Sequence, residues 1–191
     1  MFLVMYTVVD IETTGLSKGY HQITEIAAAK VRKGEVVETY STLVNPEARI
    51  PYFITKLTGI SDSMVKDAPV IKEVLPSFSD FLGKDVFVAH NATFDYGFIE
   101  NNMKRHGHSF EPAKLCTRKL AARLFPELPS KKLSSLCSHL GVQNSQAHRA
   151  MGDVQATVKV FNSMLGILQS RGVSEVSEVI KFEKSAARKV V

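Results

Sequence analysis

Cysteine is scarce in this chain of 191 residues: Cys116 and Cys137 are the only two. They form neither a C-x-x-C pair nor a group with histidines at ligand spacing. That argues against a zinc site and fits reduced, buried thiols in a cytosolic protein. Long apolar runs are missing as well. Stretches such as residues 25–30 and 86–89 fall far short of the ~20 residues that span a bilayer, and residues 1–9 lack the basic start and cleavage pattern of a secretion signal. A soluble, unprocessed cytoplasmic protein with no membrane segment is the expectation. Low-complexity tracts, internal repeats and Ser/Gly linkers are also absent, which excludes a disordered chain or a repeat array.

What is present is the composition of one packed core, with 45% hydrophobic residues, 23% charged residues, 11 Gly and 7 Pro. The length suits one domain, read as residues 1–170, and a short basic C-terminal tail at 171–191. In that tail Val173, Val176, Val179 and Ile180 keep helical spacing, so it can pack locally or dock a partner. The net charge of +5 is unevenly spread: residues 1–100 hold 9 Lys and Arg against 13 Asp and Glu, and residues 101–191 hold 15 against 6. A basic half suits a polyanion, because each cation that meets a phosphate releases counterions, although a solvated surface has the same composition.

Along the chain, residues 1–12 are rich in Val and read as a central strand closed by Thr13-Thr14-Gly15. Residues 22–32 and 35–44 flank the Lys33-Gly34 turn as a hairpin. Short helical pieces are expected at 52–58 and 61–66, a helix at about 70–82, a strand at 86–90, and a helix at 91–106 stopped by Gly107. A strand at 114–117 and helices at 118–125, 131–140 and 148–169 complete one α/β unit.

Three places carry chemistry. Asp10 and Glu12 lie two residues apart at the end of the first strand, and a period of two puts both on one face. Anions that close raise each other's pKa unless a cation sits between them. A divalent metal with oxygen ligands is the usual solution, and a solvated pair is the alternative. Asp95 follows the strand end at His90-Asn91, in the first turns of the next helix. His148 and Asp153 are five residues apart, about 140° on a regular helix, so His148 is expected at the helix mouth with Asp153 projecting inward. Around these, the Thr13, Thr14 and Gly15 turn can present backbone N–H groups to a ligand or simply end the strand. Asn91 and Phe94 are candidate substrate contacts, since a ring face can stack on a base, with core packing the alternative for Phe94. Residues 114–123 and Lys131-Lys132 are candidates for phosphate contacts or a solvated helix face. His21, His106, His108 and His139 have no carboxylate at useful spacing and read as surface or structural.

The strings VVDIETTGL, AHNATFD and AHRAMGDVQAT, in this order, resemble the three motifs of the DEDDh superfamily, the DnaQ-like 3′–5′ exonucleases. The likeness runs from about residue 5 to 165, and LTGI at 57–60, Lys131–Leu133 and Leu140-Gly141-Val142 look similar too. The resemblance implies that Asp10, Glu12, Asp95 and Asp153 bind metal and that His148 is the general base. The H-x-x-x-x-D spacing is that of the histidine branch. It further implies that Thr13, Thr14 and Gly15 line the 3′-end pocket and that Leu57 is the apolar wedge between terminal bases, buried packing being the other reading of Leu57. The implied fold is ribonuclease H-like: α/β, a mixed sheet of about five strands with helices on both faces.

The chemistry stands beside the resemblance. A phosphodiester needs its charge neutralised, a water lined up and the leaving 3′-oxygen stabilised. Two divalent cations, Mg²⁺ or Mn²⁺, roughly 3.5–4 Å apart meet these needs, and histidine is the side chain type suited to moving a proton at neutral pH, which makes His148 the candidate. The expected function is a metal-dependent 3′–5′ exonuclease that releases nucleoside monophosphates from the 3′ ends of single-stranded DNA in proofreading or repair. It resembles the proofreading exonucleases of bacterial DNA polymerase III, which makes a DNA polymerase subunit a candidate partner. The absence of a long C-terminal extension and of a Q-x-x-L/M-x-F peptide departs from epsilon-type subunits in docking, not in nuclease chemistry. The runner-up is an RNA exonuclease of the RNase T or oligoribonuclease type. A catalytically silent nucleic-acid-binding or scaffold domain would have no reason to bury four mutually repelling carboxylates.

Overall fold

The computed structural model describes residues 5–144 and 147–186. Five strands form one sheet: β1 (Tyr6–Thr13), β2 (Ile23–Arg32), β3 (Glu35–Leu43), β4 (Val86–Ala89) and β5 (Lys114–Cys116), in the order β3-β2-β1-β4-β5. β2 pairs antiparallel with β1, placing Glu12 opposite Glu25, and β4 pairs parallel with it on the other side. The parallel ladder stops at Val8↔Val88, so the last residues of β1 run past β4.

Strand alternation decides which layer each side chain enters. Tyr6 and Val8, with Ala27, Ala29 and Val31, point into a core shared with α5 (Thr117–Leu124), α6 (Leu133–Leu140), α7 (Ala150–Ser170) and α8 (Val176–Lys184). Val9 and Ile11 point into a second core under α3 (Ile71–Leu82) and α4 (Thr93–Arg105). By the same period Asp10 and Glu12 share the face of Tyr6 and Val8, which is the face α7 covers. In α7 the buried Val154, Val158, Phe161, Leu165 and Leu168 recur at steps of four and three, one helical stripe. Each such side chain contributes about 1.5–3 kcal/mol on burial. The stripe therefore fixes where the start of α7 meets β1.

Beyond Leu43, which lies level with Glu25, the chain leaves the sheet edge into α1 (Tyr52–Thr58) and α2 (Asp62–Val65), packed over Ile50, Ile54, Ile60 and Val65. The first strand, expected over residues 1–12, is seen from Tyr6, residues 1–4 lying outside the described residues; the other expected elements appear with ends moved by a residue or two. At two helix starts the shift has a backbone cause: α4 begins at Thr93 and α7 at Ala150, because Asn91 (φ 69°) and His148 (φ 63°) take left-handed backbone that cannot continue a helix. Cys116 and Cys137 are buried and unpaired. The regularly spaced valines of the tail are packed, with Val179 fully buried, while Arg188 and Lys189 lie outside the described residues. No helix among the described residues is long and apolar enough to cross a membrane.

Candidate active site

Asp10 and Glu12 project from the end of β1, and Asp153 enters from the first turn of α7. One ligand oxygen from each of these three carboxylates lies within 4.8 Å of the others. Asp95 comes from the first turn of α4 in the other layer. It is 3% exposed and accepts the Ile11 N–H through Oδ1 at 3.2 Å. That N–H lies beyond the end of the β1–β4 ladder, so the carboxylate stands in for a strand partner and braces β1 between Asp10 and Glu12.

Although Asp10 keeps some solvent contact, desolvation by the packed walls holds its carboxyl well above the usual carboxylate range, and the charges of Asp95, Asp153, Glu12 and Glu25 add to this. Glu12 is pushed up to about 8 by burial first, then by Asp153, Glu25 and Asp95, with Arg149 pulling the other way. Burial raises Asp95 to about 7 against hydrogen bonds from its own N–H and that of Ile11. Carboxyls so crowded retain protons that a divalent cation would displace. With hard oxygen donors throughout, the residues present fit such a cation.

Asp153 is held in turn. Its Oδ1 accepts from Asn144 Nδ2 at 2.6 Å and its Oδ2 accepts the His148 N–H at 3.0 Å. The positive end of the α7 dipole further favours a carboxylate there. His148 precedes the helix, exposed, so the wide angular separation of a continuous helix does not arise. Its left-handed backbone costs about 1–2 kcal/mol, which neighbouring contacts must offset. Two residues overlooked in the sequence stand beside it. Arg149 forks onto Glu25 of β2, Nη2 to Oε1 at 2.7 Å and Nε to Oε2 at 3.2 Å, and the Ala150 N–H reaches Oε2 at 3.0 Å. The visible signal was one charged residue inside ITEIAAA, a run apolar apart from Thr24 and Glu25. His90, also overlooked, bonds through Nδ1 to Thr117 Oγ1 at 2.9 Å and is lowered to about 4, chiefly by burial, so it stays neutral where β4 meets α5.

A cavity of 410 Å³ opens between the loop after β1 and the start of α4, lined by Leu16, Lys18, Asn91, Thr93, Phe94 and Phe98 among others. It gathers Asn91 and Phe94 of the expected substrate contacts. Thr13 and Thr14 are buried and turned inward. Thr13 Oγ1 donates to the Gly15 carbonyl at 2.7 Å, and the Thr14 N–H donates to the Gln22 carbonyl at 2.8 Å, so the N–H groups expected to face a nucleotide instead shape the turn. At Gly15 a Cβ would stand 2.4 Å from the His21 ring, and His21 Nδ1 accepts the Ser17 N–H at 3.1 Å. The residue this turn presents outward is Leu16, 85% exposed.

Leu57 is 52% exposed on α1, outside both the carboxylate group and this cavity, and is not buried packing. Much of the expected phosphate-binding stretch braces the fold instead. The Lys114 ammonium sits 3.6 Å from the Tyr96 ring centroid, Lys119 lies 3.7 Å from Glu183, and Arg123 donates to the carbonyls of Lys119 and Ser185. Lys131 donates to the Leu128 carbonyl. Arg118 differs, donating to Asn91 Oδ1 at 3.4 Å on the edge of the cavity.

The family model described as exonuclease matches residues 7–161. The chain is 46% identical over 174 residues to the PolC-type DNA polymerase III of Caldanaerobacter subterraneus subsp. tengcongensis, covering 91% of this chain and 12% of the relative. With the PolC-type DNA polymerase III of Clostridium perfringens the identity is 45% over 156 residues, 82% of this chain and 11% of the other. The chain thus spans about 12% of the length of the curated relatives it matches. Among solved structures, Exonuclease X in complex with 5′ overhanging duplex DNA aligns with a TM-score of 0.72 at 28% identity, over 96% of this chain and 99% of that one. E. coli Exonuclease I in complex with a dT13 oligonucleotide gives 0.78 at 18% identity, over 88% and 42%, a likeness of fold. The sheet and its helices are the ribonuclease H-like arrangement of these neighbours. The match runs from β1 into α7, and this chain belongs to the exonuclease family, whose members depend on divalent metal.

Proposed function

We propose that this chain acts in the cytoplasm on the 3′ ends of single-stranded DNA, releasing nucleoside monophosphates in proofreading or repair. In this reading Asp10, Glu12, Asp95 and Asp153 hold two divalent cations, Mg²⁺ or Mn²⁺, and His148 is the general base. The observation that carries it is the meeting of Asp10, Glu12 and Asp153 within 4.8 Å, with the His148 N–H bonded to the last of them. When bound, the cations supply neutralisation of the scissile phosphate and stabilisation of the leaving 3′-oxygen.

The chain's own residues do the rest. Asp10 and Glu12 project from a strand paired to β2 and braced by Asp95, so little reorganisation remains for the moment of reaction. The exposed His148 ring accepts the proton of the attacking water, a role worth about 10²–10⁴-fold. Leu16, Asn91 and Phe94 enclose the terminal base in the 410 Å³ cavity, Phe94 offering a ring face, while Thr13, Thr14 and Gly15 hold the cavity's wall in shape. Lys18 lines the cavity and Arg118 bonds to Asn91 at its edge, both offering a cation to phosphate oxygens, and Leu57, exposed on α1, is the apolar wedge between terminal bases. Residues 1–170 form the catalytic unit, with the 171–191 tail bracing it through α8.

Preference for DNA is supported by the relatives, which are DNA polymerases, and by the neighbours that hold DNA. A partnership with a DNA polymerase is supported by the identity to PolC-type enzymes. The test is release of mononucleotides from 3′-labelled DNA and RNA oligomers with Mg²⁺, Mn²⁺ or EDTA. Metal-dependent release that is faster from DNA is expected. Faster release from RNA would replace the substrate, and no metal-dependent release from either would overturn the proposal.

A further inference from the structure

Glu25 sits in a strand where Ile23, Thr24, Ile26, Ala27 and Ala28 are all buried, and it is itself 3% exposed. A carboxylate in such surroundings is costly unless it is paired and fully hydrogen-bonded. Among the described residues its hydrogen bonds all go to the two residues that follow His148: the guanidinium of Arg149, through both oxygens, and the N–H of Ala150.

We propose that Glu25 is a positioning residue for the reaction, acting through Arg149 and Ala150 to hold His148 beside Asp153. The proposal rests on the reading of His148 as general base. His148 is exposed, keeps a φ of 63° and is tied to Asp153 only through its N–H. Its placement therefore depends on the residues around it. Arg149 is the extended joint (φ −125°, ψ 128°) between that residue and α7, and Glu25 fixes both its side chain and the N–H just beyond it. Glu25 is also the direct cross-strand partner of Glu12. One buried carboxylate thus registers the loop that carries the base against the strand that carries the cation ligands. A ligand role for Glu25 fits poorly, because donors already occupy both oxygens and it is not among the three carboxylates that meet within 4.8 Å.

The test compares Glu25→Gln and Arg149→Lys in the full chain. Lysine keeps the charge of arginine without its two-pronged geometry. Each variant is expected to lower kcat about 10- to 100-fold, the effect of a base misplaced by about 1 Å. KM for a single-stranded DNA oligomer should stay unchanged in both, and the affinity for Mn²⁺ by calorimetry should stay unchanged in Arg149→Lys, which keeps the charges beside the cation ligands as they are. In a His148→Ala background neither substitution should lower kcat by more than about twofold further, because the base they position is gone. Independently of activity, the metal-free Glu25→Gln chain should show faster hydrogen exchange at the Ala150 N–H and shifted amide signals at His148.

Losses that add fully to that of His148→Ala, an altered Mn²⁺ affinity of Arg149→Lys, or unchanged exchange at Ala150 in Glu25→Gln would each overturn the proposal. If Glu25→Gln does not fold, Arg149→Lys tests the same link with Glu25 and its bond to Ala150 retained. Failure of the wild-type chain to cleave DNA with metal would instead remove the functional reading, and the exchange measurement would still decide whether Glu25 holds the loop.

Discussion

Asp10 and Glu12 project from a strand in the middle of the sheet, over two cores, with Asp95 bracing the backbone between them. His148 projects from an exposed turn, holds a left-handed φ, and keeps its place through bonds to Asp153 and, one and two residues on, to Glu25. The two halves of one site are therefore built differently. The proposed cation ligands Asp10 and Glu12 are placed by strand alternation and core packing, while the proposed base, His148, depends for its place on a few side-chain links. Substitutions in the first half should act through charge and metal affinity, and those in the second through geometry and turnover.

The contrast is sharpest at Asp10. Asp10→Asn should lower turnover on the order of 10³-fold, through several kcal/mol of lost charge stabilisation. It should also weaken Mn²⁺ binding in calorimetry and raise the melting temperature of the metal-free chain at pH 8, since one of the repelling carboxylates is gone. His148→Ala should lower kcat about 10²–10³-fold with Mn²⁺ and single-strand affinities kept; a parallel loss of Mn²⁺ affinity would merge the two halves. Phe94→Ala should raise KM about tenfold, the loss of one stacked base, with kcat little changed.

The smallest effect is on stability against pH. Glu12 is raised to about 8, Asp95 to about 7, and Asp10 also upward, so between the ordinary carboxylate range and about pH 8 the folded chain holds more protons than the unfolded one. Stability of the metal-free chain should be fullest below that window and fall as pH rises through it, at about 2–4 °C of melting temperature per kcal/mol. Saturating Mn²⁺ should flatten the slope in calorimetric scans from pH 5 to 8.5, because the bound cation takes the place of the protons.

How far the sequence carries follows the same division. Apolar alternation and the Lys33-Gly34 turn define residues 6–43, and that alternation places Asp10 and Glu12 on one face before any fold is known. The contact from Glu25 to Arg149 spans 124 residues and exists only once β2 and α7 are packed, so no local pattern announces it. Left-handed backbone at Asn91 and His148 is likewise set by what surrounds those residues, which is why α4 and α7 start later than their sequence patterns suggest. The basic stretch misleads for a related reason: Lys119 and Arg123 meet partners in α8 and just beyond it that lie about sixty residues along the chain.

The central claim is that Asp10, Glu12, Asp95 and Asp153 form a divalent-cation site with His148 at its edge. Anomalous diffraction from crystals of the chain with Mn²⁺ and a short DNA strand tests it most directly. The account predicts two peaks roughly 3.5–4 Å apart, ligated by Asp10, Glu12, Asp95 and Asp153 with the DNA 3′ end beside them. Crystals with Mn²⁺ peaks elsewhere, or with DNA bound and no peak at these carboxylates, would contradict it.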